Sequence, residues 1–265
     1  MNDHLLIRLS QSHLNLLETC PPQFKRIYLE QLGSPLSPEQ QEKLTWGSQF
    51  HLLMQQRELG LSIDSILGEE QQFKNSLQAL IDAVPCLDNL SSQSWKEAEH
   101  CRTLALEGYL LTVIYDLLIT ERNKAEILDW KTYLQPENTQ KLANHWQTRL
   151  YLYLLAETSD YLPEQISLTY WFVKLPNKPQ SLTFSYDNQQ HQKNHQDLII
   201  LLNNLQSWLE DYSQKQRNFP HLDNCQESCP YYKIINDLED KALTNKNNPT
   251  DLLLTIEEIE EIPLW

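Results

Sequence analysis

The sequence predicts an α/β fold, a sheet of about five strands flanked by helices and preceded by an N-terminal helical segment. Two observations lead there. Between Glu107 and Tyr133, two apolar runs rich in Leu, Ile and Val face each other across a short polar break, Glu121-Arg122-Asn123-Lys124, the pattern of an antiparallel hairpin. On either side of this stretch the apolar spacing changes to three and four residues, the period of helices with one buried face.

In chain order, Ser10–Thr19 reads as a helix capped by Ser10 or Ser12, with Leu14, Leu16 and Leu17 as its stripe. Cys20-Pro21-Pro22 interrupts it, and a second helix from Pro22 to Tyr28 carries Phe24, Ile27 and Tyr28 on one face. After a Gly- and Pro-containing loop at 33–38, Pro38–Leu59 forms a helix burying Trp46, Phe50, Leu53 and Met54. Leu67–Val84 is a further amphipathic helix, and 85–94 is a polar connection within the same domain. Glu97–Leu106 is a strand, turned by Glu107-Gly108 into the hairpin. One helix is expected over Glu137–Glu157, with Leu142, Trp146, Leu150, Tyr153 and Leu154 buried. Strands at Ile166–Val173 and Leu182–Tyr186 precede a long helix from Asn188 to Gln216. The domain is expected to span 1–240, helical over 1–94 and holding the sheet and its helices over 95–240, followed by an acidic tail at 241–265.

Each hairpin run contains an aspartate where a buried strand should have none, Asp116 and Asp129. A turn centred between Arg122 and Asn123 sets them directly opposite, with Cβ atoms about 4.5–5.5 Å apart. Lys131 follows Asp129 by two residues and so shares its face. Two carboxylates side by side in an apolar sheet repel and lose solvation, so a cation belongs between them, either a metal ion or Lys131. The competing reading is a solvated sheet rim with a surface ion pair. Pairing across Glu107-Gly108 brings Glu99 beside Asp116, unless a single bulge breaks the row; Glu99 is therefore the lesser candidate. Gly47 and His51 stand four apart on one helix face, and a mid-helix Gly, which costs about 1 kcal/mol against Ala, implies close approach to the backbone. Taken alone, such a histidine is more often a core or surface residue than a ligand. Gln147 and Tyr151 are likewise four apart.

The net charge of −15 argues against a protein that coats nucleic acid through many Lys and Arg contacts, though not against an enzyme with a small cationic or metal-containing cleft. No apolar run is long enough for a membrane span, and the first twenty residues lack the features of a signal peptide, so a cytoplasmic location and no membrane partner are expected. Five cysteines suit reduced thiols or ligands better than a disulfide framework. There is no phosphate-binding loop of the helicase type, so any translocation comes from a partner.

The ordered set SQSHLNLLETCPPQFKRIYLEQL, GSQFH, VIYDLL, ILDWKT, QTRLYLYLL and CPYY, spanning about Ser10 to Tyr232, resembles the PD-(D/E)XK nuclease superfamily in its RecB-like exonuclease branch. The resemblance implies a restriction-endonuclease-like core with a central mixed sheet. It matches His51 to the helix histidine that helps bind metal, Asp116 to the second-motif aspartate, Asp129 and Lys131 to the acid and lysine of the third motif, and Gln147 and Tyr151 to the pair on the following helix. It implies Mg²⁺ or Mn²⁺ held by His51, Asp116 and Asp129, DNA as substrate, exonucleolytic hydrolysis of single strands or ends in repair, recombination or defence, and a helicase or other repair or defence protein as a possible partner. Two departures stand out. Thr112-Val113-Ile114-Tyr115 occupies the stretch where the family often has a glycine, which would crowd an approaching nucleic acid backbone. Iron–sulfur members use an N-terminal cysteine with C-x2-C-x5-C; Cys20 and Cys229 match, Cys225 is one residue out of place and Ile235 occupies the last position, so an intact iron–sulfur cluster is not expected. These departures and the acidic charge motivate a non-catalytic interaction module on a nuclease fold as the alternative, with an unrelated metal-dependent phosphoesterase as a third reading.

Overall fold

The structure, a computed structural model, describes residues 7–33, 35, 37–67, 71–88, 93–133, 138–174, 179–222, 225 and 229. The acidic tail expected at 241–265 lies outside them. The chain forms two compact units, Met1–Gln11 with Leu36–Leu198, and Ser12–Pro35 with Ile199–Trp265. Among the described residues no helix is long and apolar enough to cross a membrane.

The first unit contains the sheet. Its strands are β1 (Ile7–Leu9), β2 (Trp95–Leu106), β3 (Tyr109–Glu121), β4 (Lys124–Lys131), β5 (Ile166–Phe172) and β6 (Gln180–Ser185). β2, β3 and β4 form consecutive antiparallel hairpins, β4 and β5 run parallel, and β6 closes the far edge antiparallel to β5. The Glu107-Gly108 turn adopts positive φ at both residues (48° and 78°), which matches the twist of a two-residue hairpin. β1 is absent from the sequence expectation. It pairs in parallel with Tyr109–Leu111 of β3, on the edge that β4 occupies further along, since β2 covers the other edge throughout. Three residues are too few to show a period, which is why pattern reading passes over them.

Helices cover the sheet. α3 (Pro38–Glu58), α4 (Asp64–Leu67) and α5 (Gln71–Ala83) lie over one face, whereas α1 (Gln11–Thr19) and α2 (Pro21–Phe24) fall mainly in the second unit. Ser37 caps α3 through a reciprocal pair, Gln40 N–H to Ser37 Oγ at 3.2 Å and Ser37 N–H to Gln40 Oε1 at 2.9 Å. Trp46, Phe50, Leu53 and Met54 of α3 and Phe73, Leu77 and Leu80 of α5 pack on Leu117, Ile119, Leu128 and Trp130. Phe50 is fully buried between Trp46 and Phe73, so its truncation to Ala would cost about 3–5 kcal/mol. On the other face lie α6 (Thr139–Asn144) and α7 (Trp146–Glu157). The single helix expected over Glu137–Glu157 is thus divided. His145 takes extended backbone (φ −67°, ψ 140°) and its ring accepts the Gln147 N–H, restarting the helix with a cap where neither Gly nor Pro marks a break.

In the second unit, α1 (Gln11–Thr19) ends at Cys20 and α2 (Pro21–Phe24) continues into a π-helical turn at Lys25–Leu29. α8 (Asn188–Lys215) begins in the first unit and contributes its later turns to the second. There Phe24, Tyr28, Trp208, Tyr212 and Phe219 form an aromatic cluster, and Lys25 meets Glu30 at 2.9 Å and Asn218 at 2.8 Å.

Candidate active site

The two acids sit where β3 and β4 part. Their ladder ends at the Leu117–Leu128 pair, and Asp129, Trp130 and Lys131 keep only their β5 partners, Tyr170, Trp171 and Phe172. The hairpin register is therefore the one its two-residue turn predicts, but Asp116 faces Asp129 across a fork rather than a regular ladder. A side chain fills the gap: Trp130 N–H donates to Asp116 Oδ2 at 2.6 Å.

A second irregularity turns Asp116 toward α3. Ala98 and Leu117 join the apolar cluster under α3 and α5, whereas Tyr115 sends its hydroxyl to the Tyr151 carbonyl of α7 at 2.9 Å. Side-chain alternation is thus broken between them. Glu99, opposite Asp116, has φ of 52°, and neither residue takes part in the β2–β3 ladder, which resumes at His100–Tyr115 in unchanged register. No residue is inserted, so the row of Glu99, Asp116 and Asp129 survives through a kink in both strands. A left-handed φ in a glutamate costs on the order of 1 kcal/mol or more.

His51 reaches this point from α3, donating from Nδ1 to Asp116 Oδ1 at 3.0 Å. Ligand atoms of His51, Glu99 and Asp116 all lie within 4.8 Å of one another. Gly47, one turn earlier, faces Thr132; a Cβ there would lie 3.1 Å from Thr132 Oγ1. The close approach expected at Gly47 is to the residue following Lys131.

Asp129 and Lys131 are nearly buried, 3% and 9% exposed, and form a 2.8 Å ion pair. Gln147 locks both ends: it accepts from Lys131 Nζ at 2.7 Å and donates to Asp129 Oδ2 at 2.8 Å. Asp129 Oδ1 touches the ammonium outside hydrogen-bond geometry, which leaves that buried oxygen with acceptor capacity. Lys131 lies 4.7 Å from the centre of the Tyr170 ring, whose hydroxyl meets Thr148 Oγ1 at 2.8 Å. Tyr170 was not singled out from the sequence; its signal is the parallel pairing that puts it beside Asp129.

Burial and charge crowding shift the proton affinities of these groups. Burial, and then Asp116, push the Glu99 carboxyl up to about 7. Burial opposes a charge on His51, yet Asp116, Asp129 and Glu99 outweigh it and raise the imidazole to about 9. Burial raises Asp129, with Lys131 pulling back and Asp116 adding to the rise. For Lys131, burial is overcome by Asp129, holding it well above the ordinary lysine value. Burial, with Asp129 and Asp116 beside it, keeps Tyr151 protonated. The cluster carries more acid than its own cations offset, and its donors, carboxylates with one imidazole, suit a hard divalent ion. The fit is to His51, Glu99 and Asp116 together, with Asp129 adjoining.

The family model of the PD-(D/E)XK nuclease superfamily matches residues 8–234. A solved structure from Eubacterium rectale, provisionally described as an exonuclease, aligns with 83% of this chain and 87% of its own at 12% identity and a TM-score of 0.50. That likeness concerns the fold. The solved protein SSO0001 aligns with 73% of this chain and 76% of its own at 14% identity, with a TM-score of 0.33. No curated protein matches the sequence.

Proposed function

The chain belongs to the PD-(D/E)XK nuclease superfamily, and on that premise we propose that it is a divalent-metal-dependent deoxyribonuclease of the RecB-like branch, cutting single strands or ends. The observation that carries this is the fork between β3 and β4, where the group of His51, Glu99 and Asp116 adjoins the ion pair of Asp129 and Lys131. Proteins of this superfamily hydrolyse nucleic acid with divalent metals. Here Asp116 and Asp129, His51 through its ring nitrogen, and Glu99 as a further carboxylate would hold Mg²⁺ or Mn²⁺. When bound, the ion supplies an acidified water and a polarised phosphoryl oxygen.

The remaining work falls to the chain. Lys131, kept charged by Asp129 and aimed by Gln147, donates to a phosphate oxygen or orients the attacking water, offsetting charge that grows as the phosphodiester bond breaks. Gln147 fixes Asp129 and Lys131 relative to each other and is a positioning residue. Tyr151, buried and neutral, packs edge-on against Tyr115 and seals the inner wall. A partner helicase, or another repair or defence protein, would supply strands and directionality.

Digestion of linear and circular DNA, single- and double-stranded, and of RNA, with Mg²⁺ or Mn²⁺, tests this beside Asp129→Ala and Lys131→Ala. Metal-dependent loss of linear DNA, abolished in both variants, is expected. Cleavage that survives both substitutions would refute the site, and a protein that binds no divalent ion by calorimetry would instead be the interaction module.

A further inference from the structure

Three cysteines far apart in sequence converge in the second unit. Cys20 stands at the junction of α1 and α2, its N–H bound to Leu16 O at 2.7 Å and its carbonyl accepting from Gln23 and Phe24 at 3.0 and 3.2 Å. Cys225 and Cys229 are drawn together by a single backbone turn, Cys229 N–H to Cys225 O at 2.8 Å, and Cys225 N–H in turn meets Leu222 O at 2.9 Å. The Cys20 sulfur lies 3.0 Å from that of Cys225 and 3.2 Å from that of Cys229, all three side chains are buried, and Leu222 packs against them. They are free thiols. A fourth donor stands beside them: His221 Nδ1 is 3.4 Å from Cys225 Sγ but outside the close group of the three sulfurs, so its ring has to swing inward to complete a site.

This set does not fit a four-thiolate iron–sulfur cluster. It supplies three sulfurs, and Ile235 has none to add. We propose that it is a structural zinc site, with Cys20, Cys225, Cys229 and His221 as a Cys₃His tetrahedron. Sulfurs about 2.3 Å from a tetrahedral ion stand about 3.8 Å apart, so Cys20 needs to draw away from Cys225 by about 0.8 Å and from Cys229 by about 0.6 Å, a side-chain adjustment. Soft thiolates with one imidazole select zinc over the hard ions suited to the carboxylates of the active site. On binding, each of the three thiols gives its proton to solvent and His221 ligates as the neutral ring, so the site takes a net charge of about −1. The ion would tie the α1–α2 junction to the segment after α8, closing a loop of roughly two hundred residues.

The full chain, purified under reducing conditions, is stripped with a chelator and given Zn²⁺ or Co²⁺ alone. About one zinc per chain, a tetrahedral thiolate spectrum with cobalt, and a lower thermal midpoint after stripping are expected. Cys229→Ser and His221→Ala should each weaken zinc binding roughly tenfold or more, His221→Cys should restore it, and Cys101→Ser, at an exposed position on β2, should leave it unchanged. Iron with labile sulfide in the purified chain, no zinc uptake by the wild type, or undiminished uptake in Cys229→Ser or His221→Ala would each overturn the assignment. Should a variant fail to fold, the metal count and cobalt spectrum of the wild type decide.

Discussion

Removing the Lys131 charge tests whether the site is built as the geometry indicates. Asp129 and Lys131 are both nearly buried and paired at 2.8 Å. Deleting one partner of such a pair strands the other charge and costs about 3–5 kcal/mol. In Lys131→Met the stranded Asp129 keeps its hydrogen bond from Gln147, which places the cost near the lower bound, about 3 kcal/mol, and Asp129→Asn should cost a similar amount by stranding Lys131. The double variant removes both charges in side chains of similar volume, and replacing a buried pair in this way is close to neutral. Urea denaturation of the metal-free protein should show two single variants destabilised by about 3 kcal/mol, a fall of roughly 6–12 °C in thermal midpoint, and a double variant near wild type. The coupling, the two single losses less the loss in the double variant, should then be about 6 kcal/mol. Nuclease activity should be lost in all three, so stability returns while hydrolysis does not. If the double variant loses the plain sum of the single losses, within about 0.5 kcal/mol, the pair is not coupled and the proposed arrangement of the site is wrong.

Other outcomes follow from the same structure. Gln147→Ala should slow hydrolysis about 10–100-fold, and a rate unchanged in single-turnover assays would remove Gln147 from the site. Gly47→Ala should gain the helix preference of about 1 kcal/mol in full only when Thr132→Ala has removed the 3.1 Å contact; equal gains in both backgrounds, by thermal denaturation, would deny the close approach. Glu99→Asn should stabilise the metal-free protein by on the order of 1 kcal/mol, because Asn tolerates the φ of 52° and carries no charge beside Asp116, while calorimetry records weaker Mn²⁺ binding. Burial lowers His13 from 6.5 to about 4, so its contribution to stability is complete above pH 6.5 and is lost as the pH falls toward 4. His13→Phe, which keeps the ring contacts with Phe24 and Tyr28, should show a shallower fall in thermal midpoint over that window.

The hairpin was legible because a two-residue turn leaves little freedom in register. Once Glu107-Gly108 and Arg122-Asn123 are recognised as turns, every pair along β2, β3 and β4 follows, and with it the row of Glu99, Asp116 and Asp129. What could not be read is three-dimensional. The kink at Glu99 and Asp116 breaks the alternation between Tyr115, which faces α7, and Leu117, which faces α3, and so turns Asp116 toward His51 of α3. Nothing in the local composition announces it. The break at His145 was hidden for a different reason: a histidine cap is uncommon, and the apolar spacing runs on across it. The cysteines alone fit no four-cysteine motif, and the signal that would add His221 to them is the spacing His-x3-Cys-x3-Cys.

The departure at Thr112-Val113-Ile114-Tyr115 bears on whether the site can reach its substrate. A glycine near the catalytic aspartate leaves room for a phosphate backbone, and four larger side chains suggested crowding. In the structure Thr112, Val113 and Tyr115 are 8%, 1% and 0% exposed, and Tyr115 spends its bulk beneath α7, where its hydroxyl holds the Tyr151 carbonyl. Their volume is directed into the protein, and Ile114 alone of the four is partly exposed. The crowding that motivated a non-catalytic reading therefore reduces to one aliphatic side chain. Ile114→Gly then separates the two accounts. If Ile114 obstructs the cleft, its removal should raise kcat/KM on DNA through a lower KM; if it only completes the strand surface, the variant should lose stability, because Gly weakens a strand interior, and gain no activity.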